Sequence, residues 1–133
     1  MRSIIIFVLL ALVIFLLGCT AKNSVEGVLS LEEKLSSGSV NVGLLPESYG
    51  KGVLSVGYSF DTHSVELSAI NLQAQVTLYM DGKEVKPSNS PSLSGHHAEG
   101  VLEFRVDEVV FPLRIVVLDV PDVAVREFVW DVP

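Results

Sequence analysis

The sequence is poor in cysteine and in basic residues. Its 133 residues suit one ordinary domain and include a single cysteine, which excludes an intrachain disulfide. Of nine Lys and Arg residues only Arg2 precedes residue 19, which leaves eight against sixteen Asp and Glu and a net charge of −8 for residues 19–133. Such a surface repels phosphate backbones, so we expect no nucleic acid among the partners.

Apolar runs long enough to cross a membrane are missing as well. The longest extends from Ile4 to Leu17, fourteen residues behind the basic Arg2. A spanning helix takes about 20 apolar residues, whereas a short apolar run behind a positive charge is typical of a secretory signal. The run ends in Leu16-Leu17-Gly18-Cys19, which resembles the lipobox of prokaryotic lipoproteins. The resemblance implies cleavage between Gly18 and Cys19 and a lipid on the sulfur of Cys19.

These features predict where the chain is located. Residues 1–18 would be the signal peptide, and the lipid on Cys19 would hold an exported domain at the extracytoplasmic side of the cell membrane. The alternative is an uncleaved anchor helix followed by an ordinary free or buried cysteine. Residues 19–39 are expected to form a lipidated tether, in which the Ser30-x-x-Glu33 capping box predicts a short helix over residues 30–35.

From Val40 onward the apolar period is two, which predicts strands. Leu54, Val56, Tyr58 and Phe60 share one face, and alternation is unbroken over the eleven residues from Ile70 to Met80. Apolar residues occupy odd positions up to Ala69 and even positions from Ile70. The buried face therefore changes between these two residues, which requires a bulge or a change of sheet. Asp81-Gly82 predicts a tight hairpin turn, and residues 87–100 read as a long loop rich in Pro, Ser and Gly.

Three further strands are predicted nearer the end of the chain. Residues 101–106 alternate, and the nearly all-apolar residues 113–118 suit a central strand or one covered on both faces. Phe128 and Trp130 share a face and are expected in the core. Residues 40–133 therefore predict an all-β fold, a small antiparallel β-sandwich of the immunoglobulin-like or fibronectin-like kind, with an open barrel as the alternative.

Residues that could carry chemistry are few and scattered. His63, His96 and Glu99 are the candidate metal ligands, but adjacent residues on an extended chain point in opposite directions, so His96 and His97 cannot easily share an ion. No serine lies in a Gly-x-Ser-x-Gly elbow, and Gly50-Lys51-Gly52 lacks the spacing of a phosphate-binding loop. We therefore expect no metal, no cofactor and no enzyme activity.

The run from Val53 to Val106 resembles the water-stress and hypersensitive-response domain. The resemblance lies in the strand-turn-strand of residues 76–85 and in the strand of residues 101–106, whereas Asp61-Thr62-His63 stands where that family carries an Asn-Pro step. The resemblance implies a non-catalytic sandwich and transfers no functional residue.

Three functions remain as hypotheses at this point. The first is a membrane-anchored binding or accessory module that holds a protein partner or a cell-envelope component near the membrane. The second is a structural or stress-protective envelope protein without a discrete ligand. The third is a small metal-dependent or hydrolytic enzyme, which requires that His63, His96 and Glu99 converge in the folded chain.

Overall fold

The structure is a computed structural model that describes residues 26–132. Nine strands in this range form two antiparallel sheets that pack face to face. Sheet A contains β1 (Gly27–Val28), β2 (Lys34–Ser36), β3 (Val40–Gly50), β4 (Val53–Thr62) and β7 (His97–Arg105). Sheet B contains β5 (Val76–Met80), β6 (Lys83–Val85), β8 (Leu113–Val120) and β9 (Val123–Trp130).

The predicted β-sandwich is confirmed, and the open barrel is excluded because the strands form two separate sheets. In sheet A the order is β1-β3-β4-β7 with β2 also on β3, and in sheet B it is β6-β5-β8-β9. Alternate residues of each strand face the other sheet, which gives one continuous apolar core. The predicted face of β4 is buried, as are Phe128 and Trp130.

Two local predictions in sheet B are confirmed. Asp81 and Gly82 connect β5 to β6 with positive φ angles of 50° and 69°. Both positions of a type I′ turn need positive φ, which glycine adopts without a steric penalty. The apolar strand β8 is central, with β5 on one side and β9 on the other.

The helix predicted for residues 30–35 is wrong. Lys34–Ser36 form strand β2, which pairs with residues 42–44 of β3. Leu29 is buried in the core, and the indole nitrogen of Trp130 donates to the carbonyl of Glu32 at 2.8 Å. These tertiary contacts override the local capping signal. Within the described residues, the sandwich therefore already includes Gly27 rather than starting at Val40, and the described part of the expected tether belongs to it.

The continuous strand predicted from Ile70 to Met80 is wrong in its first half. A 3-10 turn covers Leu67–Ala69, and one helical turn, α1 (Leu72–Gln75), precedes β5. The side chain of Asn71 accepts from the backbone N–H of Ala74 at 3.1 Å, and the backbone N–H of Asn71 donates to Gln75 at 2.6 Å. This capped turn carries the chain from sheet A to sheet B, so the shifted phase marks a change of sheet.

The predicted loop of residues 87–100 is shorter than expected, because β7 already begins at His97. Asn89 lies beside the outer edge of β7, where its amide donates to the carbonyl of Val101 at 2.8 Å and accepts from the N–H of Glu103 at 2.9 Å. The backbone N–H of Ser88 also donates to Glu103. The loop thereby covers part of an edge that would otherwise expose unpaired backbone groups.

The two ends of the sandwich differ in what they carry. We call one the first-strand end, because β1 pairs there with Ser48 and Tyr49, beside the β3–β4 turn and the segment that contains Asp107. The β5–β6 hairpin lies at the same end, where the N–H of Val110 contacts the sulfur of Met80.

The opposite end, which we call the histidine end, is formed by residues 37–39, 62–71, 94–97 and 119–122. The backbone N–H of Thr62 donates there to the carbonyl of His96 at 2.9 Å, and the Ser39 hydroxyl donates to the carbonyl of Pro121. All three histidines of the sequence therefore lie at the end away from β1.

Candidate functional site

The predicted lipidation and cleavage residues, Gly18 and Cys19, lie outside the described residues. Lipidation and export therefore stay predictions. Within residues 26–132 no helix is long and apolar enough to cross a membrane.

The histidine end brings together residues that were not predicted as a set. Asp61 and His97 are direct partners across β4 and β7, and the Asp61 carboxylate contacts Nδ1 of the His97 ring. The His63 ring also lies close to His97, with the two ring centres 6.4 Å apart and the two ring planes at 80°. All three side chains are exposed.

The predicted set of His63, His96 and Glu99 does not converge. The His63 ring packs against His97 instead. His96 is close enough to Glu66 to help lower the pKa of that carboxyl, after the larger effect of hydrogen bonds from Gly95 and Ser68. Among residues 26–132 no three His, Cys, Asp or Glu side chains are already arranged as a metal site.

The pairing of Asp61 with His97 was not predicted, although the sequence contains a partial signal for it. Asp61 and His63 are two residues apart at the end of a strand, so they are expected on the same face. The partner residue on β7 depended on the register between β4 and β7, which no local pattern fixes.

The outer face of sheet A is acidic and shallow. Glu33 and Glu47 lie over the glycines Gly43 and Gly57, whose missing side chains leave room for the carboxylates. Glu99 stands two residues beyond His97 on the same face, next to Ser59 of β4. Such a surface attracts cations and basic segments and repels anions.

The outer face of sheet B is mixed. The guanidinium of Arg114 lies 4.3 Å from the centre of the Tyr79 ring and contacts Glu127 at 3.1 Å. Tyr79 lies on the polar face of its strand and packs there against its neighbour on the adjacent strand β8. Nearer the histidine end, Leu118 and Val125 are cross-strand partners that are 37% and 55% exposed.

Arg126 is a buried cation that sequence reasoning missed. Its side chain is 2% exposed, and Nη1 donates to the Ser36 carbonyl at 2.7 Å and to the Ser36 hydroxyl at 3.0 Å. Nε and Nη2 have no hydrogen-bond partner among the described residues. Burial lowers the pKa of this guanidinium, while Asp122 acts in the opposite direction. The sequence signal was its position in the alternation along β9, because Arg126 falls on the inward face that Phe128 and Trp130 occupy.

Gly38 lies where the loop before β3 passes over this guanidinium. A Cβ atom on Gly38 would lie 2.8 Å from Nη2 of Arg126. The missing side chain therefore lets the loop close over the buried cation.

Comparisons with known proteins identify no relative. No family model matches the chain, and no curated protein and no solved structure matches it significantly. The class that the fold defines is a small antiparallel β-sandwich of two sheets, and both resemblances described above stay predictions.

Proposed function

We propose that the chain is an exported lipoprotein whose β-sandwich binds a protein partner of the cell envelope without catalysing a reaction. The observation that carries the proposal is the placement of β1 at one end of the sandwich, opposite the exposed histidine end. A domain held at one end presents its other end and its flanks to partners.

The distance from the lipid to the domain supports this orientation. Gly27 follows Cys19 by eight residues, which span at most roughly 28 Å when fully extended. A lipid on Cys19 therefore keeps the first-strand end near the membrane surface. The net charge of −8 repels anionic headgroups, so the domain stands off the surface rather than lying on it.

Leu118 and Val125 form the surface where we expect the partner to bind. They lie side by side across β8 and β9, and both leave apolar area in water. Exposed carboxylates lie next to them, with Asp119 following Leu118 in the chain and Glu127 following Val125 on the same face of β9. An apolar centre with a polar rim is the usual composition of a protein interface.

Cross-linking on intact cells tests the proposal. Leu118→Glu with Val125→Glu is expected to remove the specific cross-linked species, because two carboxylates cannot be buried there without partners. Val101→Glu is the matched control, since Val101 is 41% exposed on the other sheet. Equal loss in both variants, or retention in the double variant, would contradict the proposed surface.

A further inference from the structure

We propose that His63 and His97 bind one divalent ion of a late transition metal, with Asp61 as the residue that orients His97. The site lies at the histidine end, on the outer face of sheet A. It differs from the predicted set of His63, His96 and Glu99, and it does not depend on the lipid anchor or on the envelope partner.

The contact with Asp61 fixes which nitrogen of His97 is available. The Asp61 carboxylate lies against Nδ1, which therefore carries the proton and donates it to the carboxylate. The lone pair is then on Nε2, at the far side of the ring. A carboxylate that holds one ring nitrogen while the other binds metal is the usual second shell of a histidine ligand, and it makes the ligand more basic.

The separation of the two rings suits a shared ion after a small rotation. Metal–nitrogen bonds of about 2.0 to 2.1 Å place two imidazole centres about 5 Å apart at a tetrahedral angle. The observed distance between ring centres is 6.4 Å. Both side chains are exposed, and exposed side chains change rotamer within nanoseconds. We expect rotation of the His63 side chain to close the remaining distance while His97 keeps its contact with Asp61.

The surroundings favour a cation and select its kind. Asp61 and Glu99 stand on the same outer face as His97, so the local charge is negative. Two imidazoles suit Cu²⁺, Ni²⁺ and Zn²⁺, whereas Mg²⁺ and Ca²⁺ prefer sites built from oxygen ligands. Among the first three, Cu²⁺ is expected to bind most tightly.

Titration of the full-length protein in detergent with ZnCl₂ and with CuCl₂ tests the site by calorimetry. All samples carry Cys19→Ala, which removes the only thiol as a competing ligand. We expect saturable binding of one ion per chain. His63→Ala and His97→Ala should each weaken binding at least about tenfold, and Asp61→Asn about tenfold through the lost second shell.

His96→Ala is the matched control, because His96 is an exposed histidine of the same end that lies near Glu66 instead. It should bind both metals as the parent does. The proposal is overturned if the parent shows no saturable uptake, if only one of His63 and His97 matters, or if His96→Ala loses as much affinity as His97→Ala. In an EPR spectrum of bound Cu²⁺ we expect hyperfine splitting from two nitrogens, one of each histidine, and this pattern should be lost in His97→Ala.

Discussion

Arg126 shows how one side chain can satisfy the chain's packing while leaving polar groups unpaired. Its charge is buried, and only one of its three nitrogens is hydrogen-bonded within the described residues. Buried donors without partners cost free energy, whereas the aliphatic stem gains from contact with the core. We therefore expect the side chain to stabilise the fold more by filling space between β9 and the loop before β3 than by its charge.

Two substitutions at this position separate volume from charge. Arg126→Met keeps most of the volume, so its free energy of unfolding should stay within about 1 kcal/mol of the parent or exceed it. Arg126→Ala leaves a cavity and should lose about 3 kcal/mol. Urea denaturation of the full-length protein in detergent measures both. Equal losses for Met and Ala would show that the hydrogen bonds to Ser36 carry the stability.

Tyr49 gives the molecule a defined response to alkaline pH. Its hydroxyl donates to the carbonyl of Asp107 at 2.6 Å, and burial, followed by the charges of Glu26, Asp107 and Glu108, raises its pKa above the ordinary value of 10.0. The folded state therefore holds this proton more firmly than the unfolded state. The resulting stability is fully present below pH 10 and is lost as pH rises through the folded-state pKa.

Tyr49→Phe tests this response. The variant should lose about 1 kcal/mol of unfolding free energy at pH 7, because the hydrogen bond is gone. The difference from the parent should shrink as pH rises above 10, which thermal or urea unfolding at a series of pH values measures. A difference in unfolding free energy that stays constant from pH 7 to pH 11 would be inconsistent with a raised pKa of Tyr49.

At the scale of elements, the turn around α1 decides where the chain changes sheets. Asn71→Ala removes the cap of this helical turn and should cost about 1 kcal/mol of unfolding free energy. Asn71→Asp, which keeps an acceptor oxygen, serves as the control and should stay close to the parent. If Asn71→Ala is as stable as Asn71→Asp, packing of Leu72 rather than the cap holds this turn.

The strands that the sequence pattern identified correctly are those with one buried face. In β4 the alternation of apolar and small polar residues reflects burial directly, and the Asp81-Gly82 turn has a stereochemical cause that acts locally. The pattern failed at residues 70–75, where alternation coincides with the apolar positions of a single helical turn. It also failed at β2, whose strand state depends on pairing with β3.

The candidate sites were harder to predict than the elements. The predicted ligands His63, His96 and Glu99 would have to converge in the folded chain, yet the register of β4 against β7 places Asp61 beside His97 and leaves His96 toward Glu66. The burial of Arg126 follows from its inward position on β9 and from the loop before β3 that closes over it. Residue types indicate which chemistry is available, while cross-strand register decides which side chains meet.

At the scale of the whole molecule, we propose that a lipid anchor on Cys19 holds the sandwich by one end. The anchor would act at the first-strand end, and the apolar pair on sheet B and the histidine end would face away from the membrane. At a membrane, the acidic surface would repel anionic lipid headgroups. Function would then depend on attachment, because the lipid sets the height and orientation at which partners meet the domain.

Intact-mass analysis of the protein extracted from membranes tests the central claim most directly. We expect a chain that starts at Cys19 and carries added lipid mass, while Cys19→Ser should show no added lipid and should either keep residues 1–18 or leave the membrane fraction. An unmodified chain that still contains residues 1–18, or a Cys19→Ser variant that is processed and membrane-bound like the parent, would contradict the account.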